Sequence, residues 1–333
     1  MRNQNTFVAA LLSTAVLGSA LLVGCKSSSQ ATVGGRPQGI DLYVAGVRAY
    51  QSGDEAAAIS NLVAATEAND RLIMATSLLA DLYKSQGNYE QSRDLYGRVA
   101  QLDPYSYGNF YNLGLTHQLL QQLNDAASNY QRALTLKDDH LESNMNLGLV
   151  RLALGNNDQA IASLRRATEI DPNNAAAWAN LGVALDAKGE YAEAERAYRT
   201  SIDLRSDQRS TLLNLGGNLV RQQKTNEAIG ILQQALTQGD DAFVHKLLGD
   251  AFTQASRFDE ATKHYDLALQ QNPRYANAMA EKANALIAKY KKDLELDESL
   301  KAAAIDLWKK SLEINPQQPR VRESIERWSK QGM

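Results

Sequence analysis

One triplet recurs on a fixed beat. Asn112-Leu113-Gly114, Asn146-Leu147-Gly148, Asn180-Leu181-Gly182 and Asn214-Leu215-Gly216 stand 34 residues apart in strict register. A period of that length marks a supersecondary unit that stacks on copies of itself, because one unit cannot bury its apolar face alone. The chain is therefore expected to be all-α, a solenoid of paired helices. Composition agrees. Alanine, leucine and glutamine are abundant, and only 6 prolines occur in 333 residues.

Steps of 34 residues carry the register outward from the triplets. In 175–208, Trp178, Leu181 and Gly182 occupy a first helix, and Ala194, Tyr198 and Ser201 a second. The same pattern places repeats at 39–72, 73–106, 107–140 and 141–174, then at 209–241 with one residue lost near Gly239, and at 242–275. The eighth, 276–318, lacks the Leu-Gly pair and carries a mixed-charge insertion around Lys291 to Glu298. A last amphipathic segment, 319–333, sets Val321, Ile325 and Trp328 at helical spacing and is expected to cap the open apolar face. Gly182 and Ala194 are small so that two helices can approach closely. Gly53, Gly87, Gly155 and Gly189 suit left-handed helix ends. Asp103-Pro104, Asp171-Pro172, Asn272-Pro273 and Asn315-Pro316 stop the second helices.

These residues resemble the tetratricopeptide repeat, whose pattern runs W-x2-L-G-x2-Y, A-x3-F, P. The resemblance covers about residues 39 to 318. It implies a right-handed superhelix of about eight helix-turn-helix repeats, with the first helix of each repeat lining a concave groove. By that resemblance the residue before each Leu-Gly pair points into the groove: Asn112, Asn146, Asn180 and Asn214. An amide both donates and accepts, so such a row can hold a peptide backbone whatever its side chains. It resembles the asparagine ladder of the nucleocytoplasmic glycosyltransferase that adds N-acetylglucosamine. The competing reading is that asparagine is simply common at this position in the family. Tyr111, Leu115, Met145, Leu149, Val183 and Leu213 are expected beside the amides as an apolar strip. Packing against the neighbouring helix is the alternative for some of them. The Lys/Arg clamp of chaperone-binding members has no counterpart, since the matching positions are mostly apolar.

The amino-terminal end makes a separate statement. Residues 1–24 contain one charge, Arg2, and an apolar run ending Leu22-Val23-Gly24, directly before Cys25, the one cysteine in the chain. This resembles a lipoprotein signal peptide with its lipobox, which implies a diacylglyceryl thioether on Cys25 and cleavage before it. More than one acyl chain is needed for stable anchoring. An ordinary secretory signal and an uncleaved membrane helix are the alternatives. Residues 25–38 then read as the lipidated terminus and a flexible Ser/Gly/Gln tether spanning ~20 Å as a coil. Lys26, following the cysteine, implies an outer-membrane location facing the periplasm if the cell is Gram-negative.

Removing Arg2 with the leader leaves 34 Lys+Arg against 38 Asp+Glu, from 35 and 38 in the whole chain. No basic stripe exists, which argues against nucleic acid and against docking on anionic lipid. No cofactor is expected beyond the lipid. His117, His140, His245 and His264 lie far apart in the array and outside any metal-ligand spacing. No nucleophile turn or phosphate loop occurs, so an enzyme is not expected. The chain reads as a lipid-anchored envelope scaffold whose groove takes a protein or peptide. The other reading is a structural lipoprotein that self-associates through its ends or convex face, with Trp308, Trp328 and the charged insertion carrying the contact.

Overall fold

The computed structural model describes residues 39–205 and 208–330. The expected signal peptide, Cys25 and the expected tether lie outside the described residues. So do 331–333 of the expected capping segment. All regular structure among the described residues is helical. The chain divides into two compact units, one ending at Ile170 and one beginning at Asp171.

The first unit contains α1 (Ile40–Gln51), α2 (Glu55–Ala68), α3 (Ile73–Ser85), α4 (Tyr89–Leu102), α5 (Tyr107–Leu119), α6 (Leu123–Leu136), α7 (Leu141–Ala153) and α8 (Asn157–Ile170). Each odd helix pairs with the next, and each second helix packs on the first helix of the following repeat. The second unit repeats this with α9 (Ala175–Lys188), α10 (Tyr191–Leu204), α11 (Arg209–Arg221), α12 (Thr225–Gln238), α13 (Ala242–Gln254), α14 (Phe258–Gln271), α15 (Ala276–Lys292) and α16 (Glu298–Ile314). It ends in the capping helix α17 (Pro319–Lys330). The four predicted stop pairs sit directly after α4, α8, α14 and α16.

The recurring glycine is a packing requirement. A Cβ on Gly182 would stand 2.6 Å from the Tyr198 ring, and one on Gly148 would stand 2.5 Å from Leu164. Real Cβ contacts do not come that close, so the glycine sets how near the two helices lie. Sixteen residues on, the facing position is a fully buried large side chain: Leu62, Tyr96, Tyr130, Leu164, Tyr198, Leu232 or Tyr265.

The turn inside each repeat is left-handed throughout. Gly53, Gly87, Gly155 and Gly189 have φ of 80, 79, 80 and 89°, as the sequence predicts. Gln121, Gln223 and Ser256 take the same conformation at φ 59, 61 and 56°. The register, and not the glycine, imposes the turn at those three places.

The two outer helices differ from the rest. α1 carries exposed Asp41 and Arg48 where α3 buries Ala75 and Leu82, so the first edge is polar by composition. The last edge is covered instead. Val321 and Trp328 of α17 complete a core with Tyr290, Ala304 and Trp308. The insertion of repeat eight mostly lengthens α15 and α16, leaving 293–297 as a short turn.

Candidate functional site

In the first unit, α5 presents Tyr111, Asn112 and Leu115, and α7 presents Met145, Asn146 and Leu149. All six are half-buried, and the two helices touch. The amide of Asn112 has no hydrogen-bond partner among the described residues. Asn146 is different. Its amide lies beside the hydroxyls of both Tyr111 and Tyr130 and lowers both pKa values against the rise from burial, and Tyr130 donates to Gln118 Oε1 at 2.7 Å. Burial first, then the nearby Glu142 carboxylate, raises the Tyr111 pKa, while the Asn146 amide opposes the rise. The Tyr111 ring also lies 5.9 Å from Tyr130 and 5.1 Å from His140. Tyr111 thus packs into an aromatic cluster, while all six side chains stay partly accessible.

In the second unit, Asn180 and Val183 share a face of α9, and Leu213 and Asn214 sit on α11. Leu213, expected in an exposed strip, is only 8 % exposed. Asn180 is 7 % exposed, yet neither its amide nor that of Asn214 finds a hydrogen-bond partner among the described residues. The Asn180 amide still reaches solvent, since Ser92 Oγ is the one buried side-chain polar atom without a hydrogen-bond partner among the described residues.

The same register continues into charge. Lys246 and Asp250, thirty-three residues beyond Leu213 and Gly217, form an ion pair at 2.6 Å, and Tyr265 donates to Asp250 at 2.8 Å. Burial pulls the Lys246 pKa down, but the Asp250 carboxylate outweighs it and the value rises. In the first unit Asp81, thirty-four residues before Leu115, takes the Tyr96 hydroxyl at 2.5 Å and Lys84 at 2.8 Å. Sequence reading missed both pairs, although counting one more repeat in each direction from the asparagines finds them.

Two further clusters join residues that sequence separation hides. Glu195, buried on α10, accepts from Arg199 (3.0 Å), Gln222 (2.8 Å) and Lys224 (2.6 Å), stitching two repeats together. Burial raises its pKa, but those bonds outweigh it and hold the carboxyl below its usual range. The expectation that the histidines stand apart fails for two of them. His245 and His264 meet across the α13–α14 hairpin, Nδ1 to Nδ1 at 3.0 Å, and His245 Nε2 reaches Asp240 at 3.0 Å. The antiparallel pairing of the helices brings the rings together. His140 and His117 have separate polar partners, Ser143 and Gln122. Among the described residues no group of three or more His, Cys, Asp or Glu could hold a metal ion.

Helix pairs repeating in register with glycine-set spacing define a helical-repeat protein. The comparisons give the repeat type. Models of the tetratricopeptide repeat match residues 77–106, 107–140, 175–207 and 213–276, and a TPR-repeat model matches 148–189. The chain carries tetratricopeptide repeats. No curated protein matches it. Among solved structures, the Cut9–Hcn1 assembly of the APC/C aligns at 16 % identity and TM-score 0.58, over 82 % of this chain and 52 % of that one. A tetratricopeptide repeat protein from Parabacteroides merdae aligns at 16 % identity and TM-score 0.55, over 74 % and 98 %. PilF of Pseudomonas aeruginosa aligns at 19 % identity and TM-score 0.55, over 65 % and 98 %. At these identities the likeness concerns the fold.

Proposed function

We propose that this protein is a lipid-anchored scaffold of the cell envelope that holds a protein or peptide on the first-helix faces of its repeats. The observation that carries the binding reading is the row of Asn112, Asn180 and Asn214, whose amides have no hydrogen-bond partner among the described residues and reach solvent at one repeat position. Each offers two donors and an acceptor suited to a peptide backbone, beside the apolar Leu115, Met145, Leu149 and Val183. The anchoring reading rests on Cys25 following an apolar run. Among the described residues no helix is long and apolar enough to cross a membrane.

The test is capture in the native cell. A photoreactive residue at Met145 or Leu115 is expected to trap one dominant protein, and Asn112→Ala with Asn214→Ala should weaken that capture without unfolding the chain. Capture of nothing at either position would refute the groove. For the anchor, Cys25→Ser should abolish labelling by a radioactive fatty acid and release the protein from the membrane. Persistent labelling would rule out the thioether at Cys25.

A further inference from the structure

The turn between α15 and α16 displays two leucines. Leu294 and Leu296 are 80 % and 82 % exposed. Leu294 and Glu295 both hold left-handed backbone, φ 57 and 59°, a conformation that side-chain-bearing residues adopt reluctantly. The turn is fixed all the same. Leu294 N donates to Lys291 O at 3.2 Å and Glu295 N to Tyr290 O at 2.9 Å. Leu296 N donates to Asp293 O at 3.3 Å, and the Asp297 side chain accepts from Ser299 N at 3.0 Å. The leucines are thus held in solvent by an ordered turn, alternating with Asp293, Glu295 and Asp297.

Beside this acidic, apolar turn lies a cleft of about 570 Å³, lined by Tyr290, Lys291, Glu295, Lys301, Arg327 and Trp328. Lys291 sits 5.1 Å over the Trp328 ring. Neither it nor Arg327 has a carboxylate partner among the described residues. Lys301 is paired with Glu298 at 3.3 Å, which leaves Lys291 and Arg327 as the cations of the cleft unpaired among the described residues, against Glu295.

We propose that this end of the second unit is a self-association surface, with the turn of each copy seated in the cleft of the other. The partner is a second copy because the patch carries both halves of one contact side by side. An acidic turn with two projecting leucines adjoins a polar cleft that carries Lys291 and Arg327, the cations unpaired among the described residues. A two-fold contact requires such self-complementarity, since the same residues supply both sides. Asp293 of each copy would face Arg327 of the other, and Leu294 and Leu296 would be drawn out of solvent. The surface is separate from the asparagine faces and stands or falls independently of them.

The experiment uses the full chain in its own membrane, with a photoreactive residue replacing Leu296. The expected product is a self-crosslink at twice the chain mass, its attachment mapped by mass spectrometry to peptides containing Lys291, Lys301 or Arg327. Arg327→Glu alone and Asp293→Arg alone should each lower the yield about tenfold or more, since like charges then meet across the contact. Co-expressing the two variants, or combining both changes in one chain, should restore it. This rescue also separates lost contact from lost fold. Capture of nothing or of a different protein would overturn the proposal. A yield indifferent to charge reversal, or one that complementary charges fail to restore, would do the same.

Discussion

Ser92 marks a fault in the repeat pattern. Its counterparts Ala58, Ala126, Ala160, Ala194, Ala228 and Ala261 are fully buried alanines. Ser92 is equally buried, and its hydroxyl has no hydrogen-bond partner among the described residues. Ser92→Ala is expected to raise stability by about 1 kcal/mol, read as a higher denaturant midpoint at unchanged slope. A lower midpoint would mean that the hydroxyl is satisfied. His264 makes a pH prediction. Burial first, then neighbouring His245, pushes its pKa from the ordinary 6.5 to about 4. The folded state therefore binds this proton less readily than the unfolded chain does. Stability should be full above pH 6.5, fall as pH drops from 6.5 to 4, and level off below. After discounting for partial exposure the loss is about 1–2 kcal/mol. His264→Asn should flatten that stretch in urea titrations at pH 7, 5.5 and 4.5. An unchanged slope would place the sensitivity elsewhere.

At the scale of helices, the missing residue of repeat six shows how the array absorbs an irregularity. Arg209, at the start of α11, reaches the end of α12. It donates to Ala235 O at 3.3 Å and to Gly239 O at 2.8 Å, and it pairs with Asp241 at 2.9 Å. Asp241 in turn caps α13 through the amides of Phe243 and Val244. One guanidinium thus satisfies the carbonyls that the shortened loop leaves open. Arg209→Ala is expected to cost about 1–3 kcal/mol. Hydrogen exchange should quicken first in α12 and α13, and uniform quickening across the second unit would contradict this local role. The stop pairs and left-handed turns were legible in advance, because they act locally. The cap, expected within 319–333, is the helix Pro319–Lys330. Arg209 was not legible as a clamp, because its partners Ala235, Gly239 and Asp241 lie a whole helix hairpin away along the chain.

At the scale of the whole molecule, each repeat draws stability from its neighbours, so an uncovered end should fray inward. Trp328→Ala in the capping helix removes a buried ring from the core of Tyr290, Ala304 and Trp308, at a cost of roughly 3–5 kcal/mol. Deleting 319–333 should strip exchange protection from α15 and α16 first and leave α9 to α11 protected. Simultaneous loss throughout the second unit would mean that it unfolds as one block instead. The anchor, if present on Cys25, would leave this order unchanged.

The 34-residue beat alone determined the repeat, the pairing of helices, the turn positions and the glycine contacts, because each depends on spacing along one hairpin. It also placed Asn112, Asn146, Asn180 and Asn214 at one position of the unit. Only the tertiary structure separated them. Asn146 lies beside the hydroxyls of Tyr111 and Tyr130, whereas Asn180 is only 7 % exposed and has no side-chain hydrogen bond among the described residues. The same is true of buried Leu213, the His245–His264 contact and the Glu195 junction. Each depends on which side chains neighbouring helices bring alongside, and the identity of those neighbours varies from repeat to repeat while the period does not.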